Sequence, residues 1–244
     1  MPLVREASKA RERLQKEGKF ETWIHGDVLD IGAGPDPITP TARVWDLDDG
    51  DAQRLGTVPD ASYDTVFSSH CLEHMRNVDE ALGTWWRVLR PGGHLVLLVP
   101  DEDLYEQGIC PSIFNPDHKW SFSIHKDRSW SPVHVNLLEA LERLPNHELL
   151  SVRVIDTAYD YSRRVVDGDP VDQTVGDAEA AIEAVVRKVD RELPLRNSLE
   201  YLLVCPSCRK QRLTLLGTDS QSTIYVRCGA CGVTARIPKE QFIR

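Results

Sequence analysis

No stretch of this chain approaches the roughly 20 consecutive apolar residues that a bilayer-spanning helix needs. Runs such as His94-Leu-Val-Leu-Leu-Val-Pro100 are as long as the apolar segments become. A membrane span is therefore not expected. The opening Met1-Pro-Leu-Val-Arg-Glu-Ala has no secretory apolar core and reads as the start of a charged helix, so a cytoplasmic protein is expected. Internal repeats and low-complexity tracts are missing too, which sets aside collagen and wholesale disorder. What remains is an ordinary globular composition: 244 residues, 41% hydrophobic and 27% charged. That length suits one large α/β domain with a small appendix.

Charge is uneven. The chain carries −9 overall, but Tyr201 to Arg244 holds seven basic residues against two acidic ones, a net +5, which leaves −14 on the first 200 residues. An acidic body disfavours unspecific nucleic-acid binding by that part. The six cysteines divide likewise. Cys71 and Cys110 stand alone and read as buried or incidental thiols. Cys205-Pro-Ser-Cys208 and Cys228-Gly-Ala-Cys231 sit in the basic tail.

Residues 3–19 favour helix, with Gly18 near the stop. Asp27-Val-Leu-Asp-Ile-Gly32, Ala42-Arg-Val-Trp-Asp46, Tyr63–Ser69 and His94–Val99 read as buried strands. Val78 to Leu89 has helical spacing and stops at Pro91-Gly92-Gly93. Ser131-Pro132 fits the cap and first turn of a helix through about Leu144. Ser151–Ile155 alternates as a strand, 160–176 is a polar excursion, and Asp177–Leu193 reads as an amphipathic helix. Ser198–Val204 reads as a last strand. Strands alternating with helices predict an α/β fold with a doubly wound, mostly parallel sheet covered on both faces. Ligands then sit beyond the carboxyl ends of the strands.

Asp30-Ile-Gly-Ala-Gly-Pro-Asp-Pro37 follows the first strand. The dinucleotide fingerprint has a third glycine where Pro37 stands, and Asp36 puts negative charge where a pyrophosphate would lie. A phosphate-free ligand is expected, and S-adenosylmethionine fits that requirement. With Val28–Gly34, Val44-Trp-Asp46, Gly50-Asp-Ala-Gln53, Ser62–Phe67, Cys71-Leu-Glu-His74 and Arg87-Val-Leu-Arg-Pro-Gly-Gly93 in this order, the chain resembles a class I S-adenosylmethionine-dependent methyltransferase of the type 11 kind. The resemblance covers about residues 25–100. It implies a seven-stranded Rossmann-like sheet whose last strand is antiparallel, here assigned to Ser198–Val204.

The same resemblance assigns roles. Asp30 accepts from the methionine ammonium, and Gly32, Ala33 and Gly34 line the methionine portion. Asp46 takes the ribose hydroxyls, with Asp48 as the alternative. Leu47, Asp51 and Ala52 face the adenine side, and Ser69 and His70 lie beside the sulfonium. Asp46 and Asp51 are only five positions apart, so the third strand and the helix before it are expected to be compressed or missing. The plainer role for Asp30 or Asp46 is a helix-capping carboxylate.

Methyl transfer needs alignment and exclusion of water, and an oxygen or nitrogen acceptor needs a base. His118 is the first candidate, Asp101 the second, and His70 lies nearest the cofactor. Tyr105, Trp120 and Trp130 are candidate pocket walls. His74 is expected to pack or cap, and Asp117 with His118 finds no further metal-ligand pattern in the sequence. The place after the fourth strand reads Ser69-His-Cys-Leu72, with neither the Pro-Pro-aromatic motif of amino-methylating DNA enzymes nor a Pro-Cys nucleophile. A small polar acceptor, such as a sugar or another metabolite, is expected. The rival readings are a nucleic-acid methyltransferase or binding protein, and a regulator that binds cofactor without turnover.

The two Cys-x-x-Cys pairs have the spacing of a four-thiolate zinc site. Gln211–Leu216 and Ser222–Arg227 alternate as two strands between them, which resembles a zinc ribbon. The expected division is a cofactor domain over 1–204 and a ribbon over 205–244, with zinc supplying stability that a 40-residue core lacks. Disulfides are the alternative for these cysteines. The ribbon would dock on the acidic body, form a homodimer, or touch nucleic acid or protein.

Overall fold

The computed structural model describes residues 5–124, 126, 128–189, 213–218, 223–229 and 231–238. Helices α1 (Glu6–Lys16) and α2 (Phe20–Trp23) come first, and Gly18, at φ +66°, turns the chain between them. Strands β1 (Val28–Ile31), β2 (Arg43–Trp45) and β3 (Tyr63–Ser69) follow, then α3 (Val78–Val88) and β4 (Leu89–Pro100). Beyond lie β5 (Ser121–Ser123), β6 (His134–Asn136), α4 (Leu137–Glu142), β7 (His147–Ile155), the small hairpin β8 (Val165–Val166) and β9 (Asp169–Pro170), and β10 (Ala181–Lys188). The tail contributes β11 (Leu213–Thr218), β12 (Thr223–Cys228) and β13 (Thr234–Pro238).

One nine-stranded sheet runs β13-β12-β11-β7-β10-β4-β3-β1-β2. β1 pairs in parallel with β2 and β3, and β3 with β4. β10 is antiparallel to both β4 and β7. In β4, Leu95, Leu97 and Val99 join the core under α3 and α4, while Val96 and Leu98 join the core under α1 and α2. That alternation is why the strand reads as a continuous apolar run, since each side chain meets a covered face. Asn77 caps α3 by accepting from the Glu80 amide at 2.9 Å, and Trp85 is fully buried beneath the helix.

Two expectations are corrected. The helix expected over Asp177–Leu193 is not formed in its described part, 177–189: Ala181–Lys188 is the antiparallel strand β10. Its Glu183 resembles a polar helical position but is fully buried, held by Arg13 of α1 and Arg153 of β7. The helix expected from Ser131 starts at Leu137, where the Asn136 side chain accepts from the Glu139 amide at 3.3 Å, after the short strand β6. The seventh strand expected at Ser198–Val204 lies outside the described residues. Among the described residues six strands build the body of the sheet, and β11–β13 extend it through one parallel bridge, Thr218 to Arg153. The connection from β2 to β3 contains a single 3-10 turn, Leu47–Asp49, and no strand, as the shortened spacing implied. Cys205 and Cys208 also lie outside the described residues. Among those described, no helix is long and apolar enough to cross a membrane.

Candidate functional site

The carboxyl ends of β1, β2, β3 and β4 converge on one edge of the sheet. Register fixes the first two: Asp30 lies opposite Val44, and Ile31 opposite Trp45. The chain leaves β1 at Gly32, φ +78°, whose amide donates to the Trp45 carbonyl at 2.9 Å. A Cβ built on Gly32 would stand 2.7 Å from both Cβ and Sγ of Cys71, so only glycine fits. Two residues on, the Gly34 amide donates to Asp46 Oδ2 at 2.8 Å.

Asp46 also accepts from the Leu47 amide at 2.8 Å through Oδ1, and its own amide donates to Asp49 at 3.1 Å. The capping role and the site role thus coincide: Asp46 caps the 3-10 turn and pins the glycine loop. Each of its oxygens keeps a second lone pair for a ligand. Leu47 beside it is 92% exposed, an apolar side chain that none of the described residues covers. Asp51 is committed elsewhere, accepting from Arg76 at 2.6 Å and from the Gln53 amide at 3.0 Å. Ala52 accepts from the Trp85 indole at 2.8 Å through its carbonyl.

Asp30 is buried and accepts from the Ile38 amide at 2.6 Å. Burial pushes its carboxyl up to about 7; the Ile38 amide opposes the rise, and the charges of Asp36 and Asp46 add to it. Asp36 is held by α1, accepting from the Ser8 amide at 2.8 Å and from the Ser8 hydroxyl. Three carboxylates therefore surround the first loop with backbone amides and one hydroxyl as their partners there.

The other flank is built by β3 and the loops after it. Ser69 ends β3 with its hydroxyl buried and unpartnered among the described residues. His70 follows in the left-handed region, φ +52°, its amide donating to the Leu98 carbonyl at 2.9 Å. His70 Nδ1 lies 3.6 Å from Glu73, and Nε2 lies 3.6 Å from Glu6 of α1. Burial disfavours its charged form, but Glu73 and Glu6 outweigh that and raise its pKa. His118 is brought to the same place: Nδ1 contacts Glu106 at 2.7 Å, Nε2 lies 3.8 Å from Glu73, and the Tyr105 ring is 5.3 Å from its own. Asp101 is not part of this group. Its Oδ1 accepts from the amides of Asp103 and Leu104, its Oδ2 has no partner among the described residues, and burial followed by the charge of Asp103 raises it to about 7.

The residue that sequence reasoning passed over is Glu73. It is fully buried, and neither carboxylate oxygen has a hydrogen-bond partner among the described residues. His70, His74 and His118 surround it at 3.6, 4.0 and 3.8 Å. It belongs to the Cys71-Leu-Glu-His74 segment, but only the fold brings His118 to it. Behind His118 is a cavity of about 110 Å³ lined by Glu106, Trp120, Trp130 and Val133 among others. Of the three expected walls, Trp120 and Trp130 line this cavity and Tyr105 does not. Of the lone thiols, Cys71 is buried and Cys110 exposed.

Residues 38–97 match a family model described as a methyltransferase domain. A stretch of 52 residues is 45% identical to the demethylmenaquinone methyltransferase of Deinococcus radiodurans and covers 21% of each protein. Another of 117 residues, 48% of this chain, is 32% identical to a reducing polyketide synthase of a Penicillium species and covers 4% of it. The chain thus spans about a fifth or less of these curated relatives. A solved SAM-dependent methyltransferase from Archaeoglobus fulgidus superposes with a TM-score of 0.46 at 16% identity, covering 75% of this chain and 94% of that one.

Proposed function

We propose that this chain is an S-adenosylmethionine-dependent methyltransferase that acts on an oxygen or nitrogen of a small polar molecule. The observation that carries the reading is the negative, phosphate-repelling character of the first loop, where Asp30, Asp36 and Asp46 stand together with only amides and one hydroxyl as described partners; burial raises the Asp30 carboxyl to about 7, and the charges of Asp36 and Asp46 add to the rise. S-adenosylmethionine brings an ammonium and a sulfonium and has no phosphate, so it supplies the charge this loop lacks. Asp30 would hold the ammonium, Gly32 to Gly34 the methionine portion and Asp46 the ribose. Exposed Leu47 would be covered by the adenine. Bound there, the cofactor would supply an electrophilic methyl group that passes to the acceptor as its bond to sulfur breaks, leaving the neutral thioether S-adenosylhomocysteine; the protein aligns acceptor and cofactor and excludes water. Calorimetry tests this directly. Adenosylmethionine should bind and NAD should not, and Asp46→Ala should lose about 1–3 kcal/mol of binding as its hydrogen bonds disappear.

The small cavity behind His118 supports a small acceptor over a nucleic acid. Methylation of structured RNA, with no activity on any metabolite pool, would refute that choice. In the tail, Cys228 ends β12 and Cys231 lies in the turn before β13, where Gly232 donates to the Cys228 carbonyl at 2.7 Å and Cys228 to the Val233 carbonyl at 2.9 Å. This tight turn suits a two-thiolate zinc knuckle, and Cys205 and Cys208 would complete the set. Arg227 reaches Glu139 of α4 at 3.2 Å, which supports a tail that docks on the acidic body. Mass spectrometry of the native chain should find zinc that Cys228→Ser loses; equal zinc content in both would dismiss the knuckle.

A further inference from the structure

We propose that Glu73, His74 and His118 together hold a divalent first-row transition-metal ion. One ligand atom from each lies within 4.8 Å of the others. His74 Nε2 is 4.0 Å and His118 Nε2 is 3.8 Å from the same oxygen, Glu73 Oε1. Metal bonds of about 2.0–2.2 Å set tetrahedral ligand atoms about 3.3 Å apart, so each group closes inward by less than about 1 Å. Glu73 is fully buried, neither of its oxygens accepts a hydrogen bond among the described residues, and what surrounds them is imidazole: His70 at 3.6 Å besides His74 and His118.

The outer contacts point the same way. His74 Nδ1 contacts Asp117 at 2.9 Å, and His118 Nδ1 contacts Glu106 at 2.7 Å. A carboxylate on the far nitrogen fixes the tautomer and turns Nε2 toward a metal, the arrangement found behind metal-bound imidazoles. The two segments are joined by their backbones: the Lys119 amide donates to the Glu73 carbonyl at 2.8 Å. The set of two imidazoles and one carboxylate leaves coordination positions open, which suits zinc, iron or their neighbours rather than magnesium or calcium. The ion would lie on the His118 side of the cleft, where an acceptor hydroxyl or carboxylate could become a further ligand. Only this last point rests on the methyltransferase reading.

The test is titration of the metal-stripped full chain with Co2+ alone, followed in the visible and near-ultraviolet. Imidazole and carboxylate ligation gives weak visible bands, whereas the cysteine tail gives intense thiolate charge-transfer absorption, so the two sites are read separately. One equivalent should bind without thiolate absorption. His74→Ala and His118→Ala should each weaken it at least about 10-fold, and Asp117→Asn, an exposed change that spares the core, should weaken it about 10-fold. Absorption from thiolate ligation alone overturns the proposal, as does a thiolate-free titration that Asp117→Asn and His74→Ala leave unchanged. Adenosylmethionine calorimetry on the same protein separates the two readings. Cofactor binding without cobalt binding removes the metal site only; cobalt binding without cofactor binding keeps the site and removes the methyltransferase reading.

Discussion

Replacing Gly32 by alanine probes the tightest point of the candidate cofactor loop. Two costs are separable in the structure. The backbone at φ +78° strains any residue with a Cβ, by about 1–2 kcal/mol. The new methyl would also stand 2.7 Å from Cβ and Sγ of Cys71, and forcing apart packed atoms adds about 1–3 kcal/mol. Gly32→Ala should thus lose about 2–5 kcal/mol in urea denaturation. Cys71→Gly removes both offending atoms and leaves only its Cα, 3.9 Å from the new methyl. In the double variant the packing part should be recovered and the backbone part should remain, a coupling of about 1–3 kcal/mol. Gly34→Ala serves as the control, because its Cβ would meet nothing nearer than Asp46 Oδ2 at 4.0 Å. Strict additivity of Gly32→Ala and Cys71→Gly, or a Gly34→Ala variant as damaged as Gly32→Ala, would refute the reasoning.

Asp30 and Asp101 both have carboxyls raised to about 7, so between about pH 4 and 7 the folded chain binds more protons than the unfolded one. Their contribution to stability is fully present below the unfolded value and is lost as pH rises through that window; Asp30→Asn should flatten the slope of denaturation midpoint against pH, and an unchanged slope would refute the assignment. Arg13 donates to Glu179 at 2.9 Å and to Glu183 at 2.6 Å, both buried, so Arg13→Ala leaves uncompensated charge and should lose about 3–5 kcal/mol in the same assay. Arg13→Lys should recover only part of it, because an ammonium does not span both carboxylates as a guanidinium does.

The half of the sheet that carries the first loop was legible because its signals are local. β1, β3 and the second half of β4 are short apolar runs with loop residues at their ends, and α3 has apolar spacing, the Asn77 cap and a compact end. β10 was not legible, because Glu183 and Arg187 interrupt it at helix-like spacing. What makes Glu183 a buried strand residue is Arg13 and Arg153, contributed by two other elements. The candidate site divides the same way. Gly32, Gly34 and Asp46 announce themselves by position after β1 and β2. Glu73 is visible in the sequence only as one acid beside a histidine, since the loop with His118 reaches it across the whole of β4.

The first loop keeps its negative charge with no cationic side chain among the described partners of its three carboxylates. Asp30, Asp36 and Asp46 accept from Ile38, Ser8, Gly34 and Leu47, all amides apart from the one Ser8 hydroxyl. Such dipoles satisfy lone pairs without cancelling charge. A ligand bearing positive charge is therefore favoured at this loop, and one bearing phosphate is not: two unit charges about 4 Å apart near a protein surface repel by about 4 kcal/mol. A pyrophosphate beside Asp46 would meet that repulsion with no helix N-terminus to offset it, because among the described residues no helix follows β1 before β2 begins. In a dinucleotide-binding loop the helix amides hold the phosphates; here the Gly34 amide already donates to Asp46. The selection for a phosphate-free cation thus comes from the missing helix and the added carboxylates acting together. Asp46→Asn isolates the second factor: it should ease the repulsion of NAD while weakening adenosylmethionine, and calorimetry that found both ligands weakened equally would show that charge is not what discriminates them.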